Sequence, residues 1–136
     1  MKRKLQHLIP KAIETIKLVG IPKTKGSITS VSGTYHGFIA SFGAGIVQAG
    51  VLPAVIFFEN SERDGADGAD KYRITQALYC LMKWEKEKKP VGKQPDQHAL
   101  SAYIISNNLQ DNSRFLDQLT TYAVALKIAM RTFKKP

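Results

Sequence analysis

The chain has one cysteine, Cys80, in 136 residues, so it cannot close an internal disulfide, and a reducing cytoplasm is the expected compartment. Acidic residues are scarce: 11 Asp and Glu stand against 20 Lys and Arg, a formal net charge of +9. That excess points to an anionic partner, nucleic acid or a membrane surface. Between Lys25 and Glu59 formal charge is missing altogether. Six prolines and ten glycines are ordinary numbers for the length, which excludes collagen-like and linker-like chains. A continuous apolar leader is also missing: Gln6, His7, Pro10, Lys11 and Glu14 interrupt the segment behind the basic start, and export is not expected.

Motifs of chemistry are equally sparse. Gly43-Ala44-Gly45 lacks the third glycine of a dinucleotide turn, the P-loop pattern does not occur, and Ser41 is not flanked as a nucleophile elbow requires. Asp64, Asp67 and Asp70 recur every three residues, whereas a calcium loop needs oxygen ligands at alternate positions and a distant glutamate. A polar acidic loop over 61–70 is the expectation. His7, His36 and His98 have no short metal-ligand spacing, so neither a metal nor a cofactor is expected. Cys80 lies among Leu78, Leu81 and Met82, the setting of a buried, inert thiol. No carboxylate pair stands out for acid–base work, and a small enzyme with a dispersed site is a minor alternative.

What is present is hydrophobic periodicity in a chain that is 43% hydrophobic, enough for one core and one domain over 1–136. Leu5, Ile9, Ala12, Ile16 and Val19 form one stripe of a helix over 3–19, kinked or delayed at Pro10, with Lys4 and Lys11 on a face away from it. Residues 20–33 read as a loop. A second helix begins near Thr34 with Phe38, Phe42, Ile46 and Val47 apolar, and a third fits Leu52 to Asn60. A fourth runs from about Asp70 to Lys88, with Ile74, Leu78 and Leu81 inward. Pro95 opens a fifth through Asn107, and Asn108, Asp111, Asn112 and Ser113 offer the loop and N-cap chemistry before a sixth. There Phe115, Leu119, Tyr122, Leu126, Met130 and Phe133 step by four, three, four, four and three, the clearest period in the chain. The expectation is an all-α bundle of about six helices.

The neutral stretch 37–58 is long enough to span a bilayer, and a membrane-associated protein is the main alternative. Gln48-Ala49-Gly50, Pro53 and the polar run Ser30, Ser32, Thr34, Tyr35 and His36 oppose one straight span and favour two buried helices meeting at Gly50.

The basic clusters carry the stronger signal. On a sixth helix reaching Phe133, Lys127, Arg131 and Lys135 are spaced by four and fall on one flank, with Lys134 alongside. Such a row meets successive phosphates and grips backbone rather than bases. Lys23 and Lys25, with Lys17 upstream, form a second candidate. The run at 83–93 is diluted by Glu85 and Glu87. Among basic helical proteins, one that binds DNA or nucleic acid in general is a further alternative.

Two segments resemble a known family. Ser41-Phe42-Gly43-Ala44-Gly45-Ile46-Val47-Gln48-Ala49-Gly50-Val51-Leu52-Pro53-Ala54 and Ala123-Val124-Ala125-Leu126-Lys127-Ile128-Ala129-Met130-Arg131-Thr132-Phe133 are similar to the small subunit of the type III-B CRISPR Cmr effector complex. That family shows a glycine-rich helix, a Gly-Leu-Pro-like junction and an Ala-Leu-Lys-x-Ala-x-Arg-Thr-Phe-like ending; here Val51 intervenes between Gly50 and Leu52. The resemblance implies an all-α, cytoplasmic subunit without enzymatic activity. Its partners would be the backbone and large subunits, copies of itself along the filament, guide RNA and target RNA, with no membrane. It carries over Lys127 and Arg131 as RNA-facing positions; Lys17, Lys23, Lys25 and Lys135 rest on charge alone.

Overall fold

The computed structural model describes residues 2–61 and 69–135, with the side chains of Lys2 and Arg3 left aside. Within them six helices and one small hairpin follow in the order α1 (Lys2–Leu18), β1 (Lys23–Lys25), β2 (Ile28–Ser30), α2 (Gly33–Ala49), α3 (Val51–Glu59), α4 (Tyr72–Glu87), α5 (Ala99–Ser106) and α6 (Ser113–Met130). This is the all-α bundle that the periodicity predicts.

Helix α4 runs through the middle and packs against α1, α2, α3, α5 and α6. Its Ile74, Ala77, Leu78 and Leu81 are fully buried, each branched side chain contributing about 1.5–3 kcal/mol by leaving water. Helix α6 lies along α1 and buries Phe115, Leu119, Tyr122, Leu126 and Met130, the stripe the spacing predicts. Asn112 caps it, the side-chain oxygen accepting the Phe115 N–H at 2.9 Å. Helix α1 passes through Pro10 without a break, and its buried stripe is Leu8, Ala12, Ile16 and Val19, with Leu5 and Ile9 only half-buried. Lys4 is exposed and Lys11 half-buried. Lys11 pairs with Glu85 of α4, and Lys4 sits 5.8 Å from the Tyr122 ring of α6.

The neutral stretch resolves into two helices. Gly50 takes φ +94°, its N–H closes α2 on the Ile46 carbonyl at 2.9 Å, and its own carbonyl accepts the Ala54 N–H of α3. One glycine therefore ends one helix and starts the next. Pro53 falls in the first turn of α3, where a missing N–H leaves no intrahelical bond unmade. Phe42 and Phe58 stack edge-to-face across the joint at 5.1 Å. Among the described residues no helix is long and apolar enough to cross a membrane, and the break at Gly50 divides the stretch 37–58 between two helices.

Three details depart from the sequence reading. Residues 20–33 are not all loop: β1 and β2 pair antiparallel, Lys23 opposite Ser30 and Lys25 opposite Ile28, around Gly26 at φ +63°. Helix α5 starts at Ala99 rather than Pro95, because the Asp96 carboxylate accepts the His98 N–H at 2.8 Å and holds residues 96–98 in a turn. Helix α6 stops at Met130, and Phe133 lies beyond it in a turn. Asp64 and Asp67 lie outside the described residues; Asp70 pairs with Arg73 at 3.5 Å.

Candidate nucleic-acid interface

Past Arg131 the chain leaves the helical path and runs beside the hairpin. Lys134 bridges Ser30 in parallel, and its carbonyl accepts the Val31 N–H at 2.9 Å. The predicted row Lys127, Arg131 and Lys135 is therefore not one helix flank: Lys135 belongs to the tail. The physical reason is local, since the chain after Met130 trades further helical hydrogen bonds for a backbone pair with a distant segment.

That pairing brings together residues from two of the predicted clusters. Lys23 and Lys25, two apart on β1 and so on one face of the strand, line a recess with Lys135. The recess has a volume of about 520 Å³ and a floor of Ile21, Tyr35 and Ala69, each at most 2% exposed. Ile28, half exposed, and the residues Ser30 and Ser32 complete it. Ser32 also caps α2, accepting the Thr34 N–H at 3.1 Å. The Tyr35 hydroxyl accepts the Asp70 N–H at 3.2 Å. Burial pushes the Tyr35 phenol above its ordinary range, so it keeps its proton at neutral pH.

Lys127 is half-buried and lines a separate apolar groove between α2 and α6, with Phe42, Val47 and Val124. Arg131 is exposed at the C-cap of α6. These two and Lys135 nonetheless act on a common point. His36, on the first turn of α2, is held below the ordinary histidine value of 6.5 by partial burial and then by Lys135, Arg131 and Lys127. Lys17 does not line the recess. It is exposed and pairs with Glu14 at 3.7 Å on its own helix.

Sequence reasoning passed over a second basic recess at the other end of α6. Lys4, Lys86, Lys88 and Arg114 line it with Glu85, Gln118 and Tyr122, at about 560 Å³. An 18-residue helix rises about 27 Å, which sets the spacing of the two basic ends. The signal was dispersed over three helices and invisible to any local window. Among the described residues no group of three His, Cys, Asp or Glu is placed to hold a metal ion. The Cys80 thiol is buried and pushed up to about 12, which makes it a poor nucleophile.

His36 offers a direct reading of this field. Its folded pKa is depressed, so folding favours the neutral ring. The resulting stability is present above pH 6.5 and is lost as pH falls through that value toward the folded one. We expect the His36 ring protons to titrate below 6.5 in the protein, and higher in Lys127→Ala/Arg131→Ala or when a phosphate strand is bound. An NMR titration that leaves His36 unmoved by both changes would remove the three cations from a shared site.

The chain matches no family model, no curated protein and no solved structure.

Proposed function

We propose that this chain is a non-catalytic, RNA-contacting subunit of a cytoplasmic ribonucleoprotein, of the kind found as the small subunit of type III-B CRISPR Cmr complexes. Its partners would be backbone and large subunits, further copies of itself, and guide and target RNA. The observation that carries the RNA contact is the convergence of Lys127, Arg131 and Lys135 on His36, with Lys135 joined to the hairpin lysines Lys23 and Lys25 in one recess. Cations from three segments then share one side of the bundle, and among the described residues no carboxylate pairs with Lys25, Lys127, Arg131 or Lys135. The resemblance of residues 41–54 and 123–133 supports the choice of complex.

The mechanism is electrostatic. Lysine and arginine heads neutralise phosphates and release counterions, so affinity falls steeply with salt and is indifferent to base sequence. Specificity is left to pairing between guide and target. One copy binds weakly, and several copies in register gain through effective concentration.

Replacing Lys127 and Arg131 by alanine removes two charges at a half-buried and an exposed position, so the fold should survive. Fluorescence anisotropy with single-stranded RNA should show weaker binding, and the slope of log K against log salt should shrink by about 1.4 if both contact phosphate. An unchanged affinity and slope would refute the contact. Duplex DNA in the same assay separates an RNA subunit from a general nucleic-acid binder, since tighter duplex binding would favour the latter.

A further inference from the structure

The basic recess at the start of α6 has no part in the strand contact proposed above, yet four cations meet there. Lys4 of α1, Lys86 and the cap residue Lys88 of α4, and Arg114 of α6 are all exposed and border one concavity of about 560 Å³. Two of the ammonium groups are placed on its walls. The Lys86 Nζ donates to the Tyr103 hydroxyl at 3.0 Å, and the Lys4 Nζ stands 5.8 Å from the Tyr122 ring centroid. Among the described residues no carboxylate pairs with any of the four. Glu85 also lines the recess, but its carboxylate is held by Lys11. The helix ends do not supply the charge, because the positive end of α6 and the negative end of α4 both border the recess and offset each other.

Lys88 is an uneconomical choice for its place. It closes α4 at φ 61°, ψ 25°, a left-handed conformation that glycine adopts freely and a residue with a Cβ adopts only under strain. A cation for the end of the α4 dipole is already present in Lys86. The recess is also separate from the basic side of the bundle. It shares no lining residue with the hairpin recess or with the α2–α6 groove. On α6, Lys127 follows Gln118 by about two and a half turns and so projects from the opposite flank.

We infer that this recess is a second anion site, which takes a compact polyphosphate on Lys4, Lys86, Lys88 and Arg114. Concavity and charge density select that class. A strand of nucleic acid carries one charge per phosphate and is met by cations in a row, whereas these four surround a single hollow. An acidic peptide spreads its carboxylates over about 3.3 Å per residue and turns alternate ones away. Linked phosphates concentrate several charges and many acceptor oxygens at one point, which suits an arginine fork and flexible ammonium groups together. A free nucleoside triphosphate and the 5′-triphosphate end of an RNA present the same group.

The test uses calorimetry on the intact chain with tripolyphosphate, orthophosphate and hexaglutamate, and with an RNA octamer bearing a 5′-triphosphate or a 5′-hydroxyl. Tripolyphosphate should bind at least tenfold more tightly than orthophosphate or hexaglutamate. Arg114→Glu should weaken it at least tenfold, and Lys88→Gly at least threefold. Glycine relieves the left-handed strain at position 88, so that variant should melt no lower than the parent while binding less, a combination that a merely structural lysine would not give. Lys127→Ala/Arg131→Ala and Lys25→Glu should leave tripolyphosphate affinity intact even if they abolish strand binding, so the two readings fail independently. If a 5′-triphosphate tightens the octamer and Arg114→Glu removes the gain, the occupant can be an RNA end; if only free tripolyphosphate responds to Arg114→Glu, it is a free polyphosphate, and either result supports the site. No binding of millimolar tripolyphosphate, hexaglutamate or orthophosphate bound as tightly, or affinity that ignores both recess variants would overturn it.

Discussion

Phe42→Ala should cost about 3–5 kcal/mol, the range for emptying an aromatic position in a packed core. Phe42 is fully buried at the joint of α2 and α3, edge-to-face with Phe58 at 5.1 Å. Removing it opens a cavity between two helices whose connection is the single residue Gly50, so little nearby chain can move in to fill the space. In a domain of this size the melting temperature should fall by roughly 10–20 °C. Phe57→Ala is the matched control. That ring is 60% exposed, and what it contributes is a contact with Lys71 at 4.7 Å, worth about 0.5–1 kcal/mol. Thermal or urea denaturation of the pair should show the difference; equal losses would mean that the α2–α3 joint is not packed as described.

The second large effect is expected at Glu59. This carboxylate is 1% exposed, yet it belongs to no catalytic cluster. Its Oε2 accepts the Ser101 N–H at 2.9 Å, in the first turn of α5, where His98 supplies no side-chain cap. Its Oε1 lies 3.5 Å from His98 Nδ1 and makes no hydrogen bond to a described residue. Glu59 is thus a cap delivered from the end of one helix to the start of another, with its negative charge at the positive end of α5. Glu59→Ala should cost about 1–3 kcal/mol, because it strands a buried N–H. Glu59→Gln keeps an acceptor oxygen and should lose less. Chemical denaturation of both variants checks the order; a Gln variant as unstable as the Ala variant would mean that charge, not the hydrogen bond, holds α5.

How far the sequence foretold this molecule depends on how local each determinant is. The α6 stripe was legible because five of its core positions repeat along one helix, and Asn112 announces its own cap. The neutral stretch was readable as two helices because Gly50 and Pro53 are local breakers with defined effects. The hairpin was not, since strands of three residues are too short to show alternation. Leu8 took the place of Ile9 in the α1 stripe because only the neighbours α4 and α6 decide which of two adjacent apolar residues turns inward. Lys135 was misplaced for a different reason. Continuing α6 beyond Met130 is a propensity argument, and the tail instead pairs with Ser30 and Val31, a contact with no signature in either segment. Lys23 and Lys25 were picked out by charge, but the apolar floor beneath them comes from Ile21 and Tyr35 and needed the fold to assemble it.

The burial of Cys80 has a practical corollary. It is the chain's single thiol, it sits in α4 against the central core at 1% exposure, and it is held almost wholly protonated at neutral pH. An alkylating reagent therefore reaches it only when α4 comes away from its neighbours, and the labelling rate becomes a stopwatch for global opening. One mass spectrum per time point then sorts any variant of this protein into those that have come apart and those that have merely lost their grip.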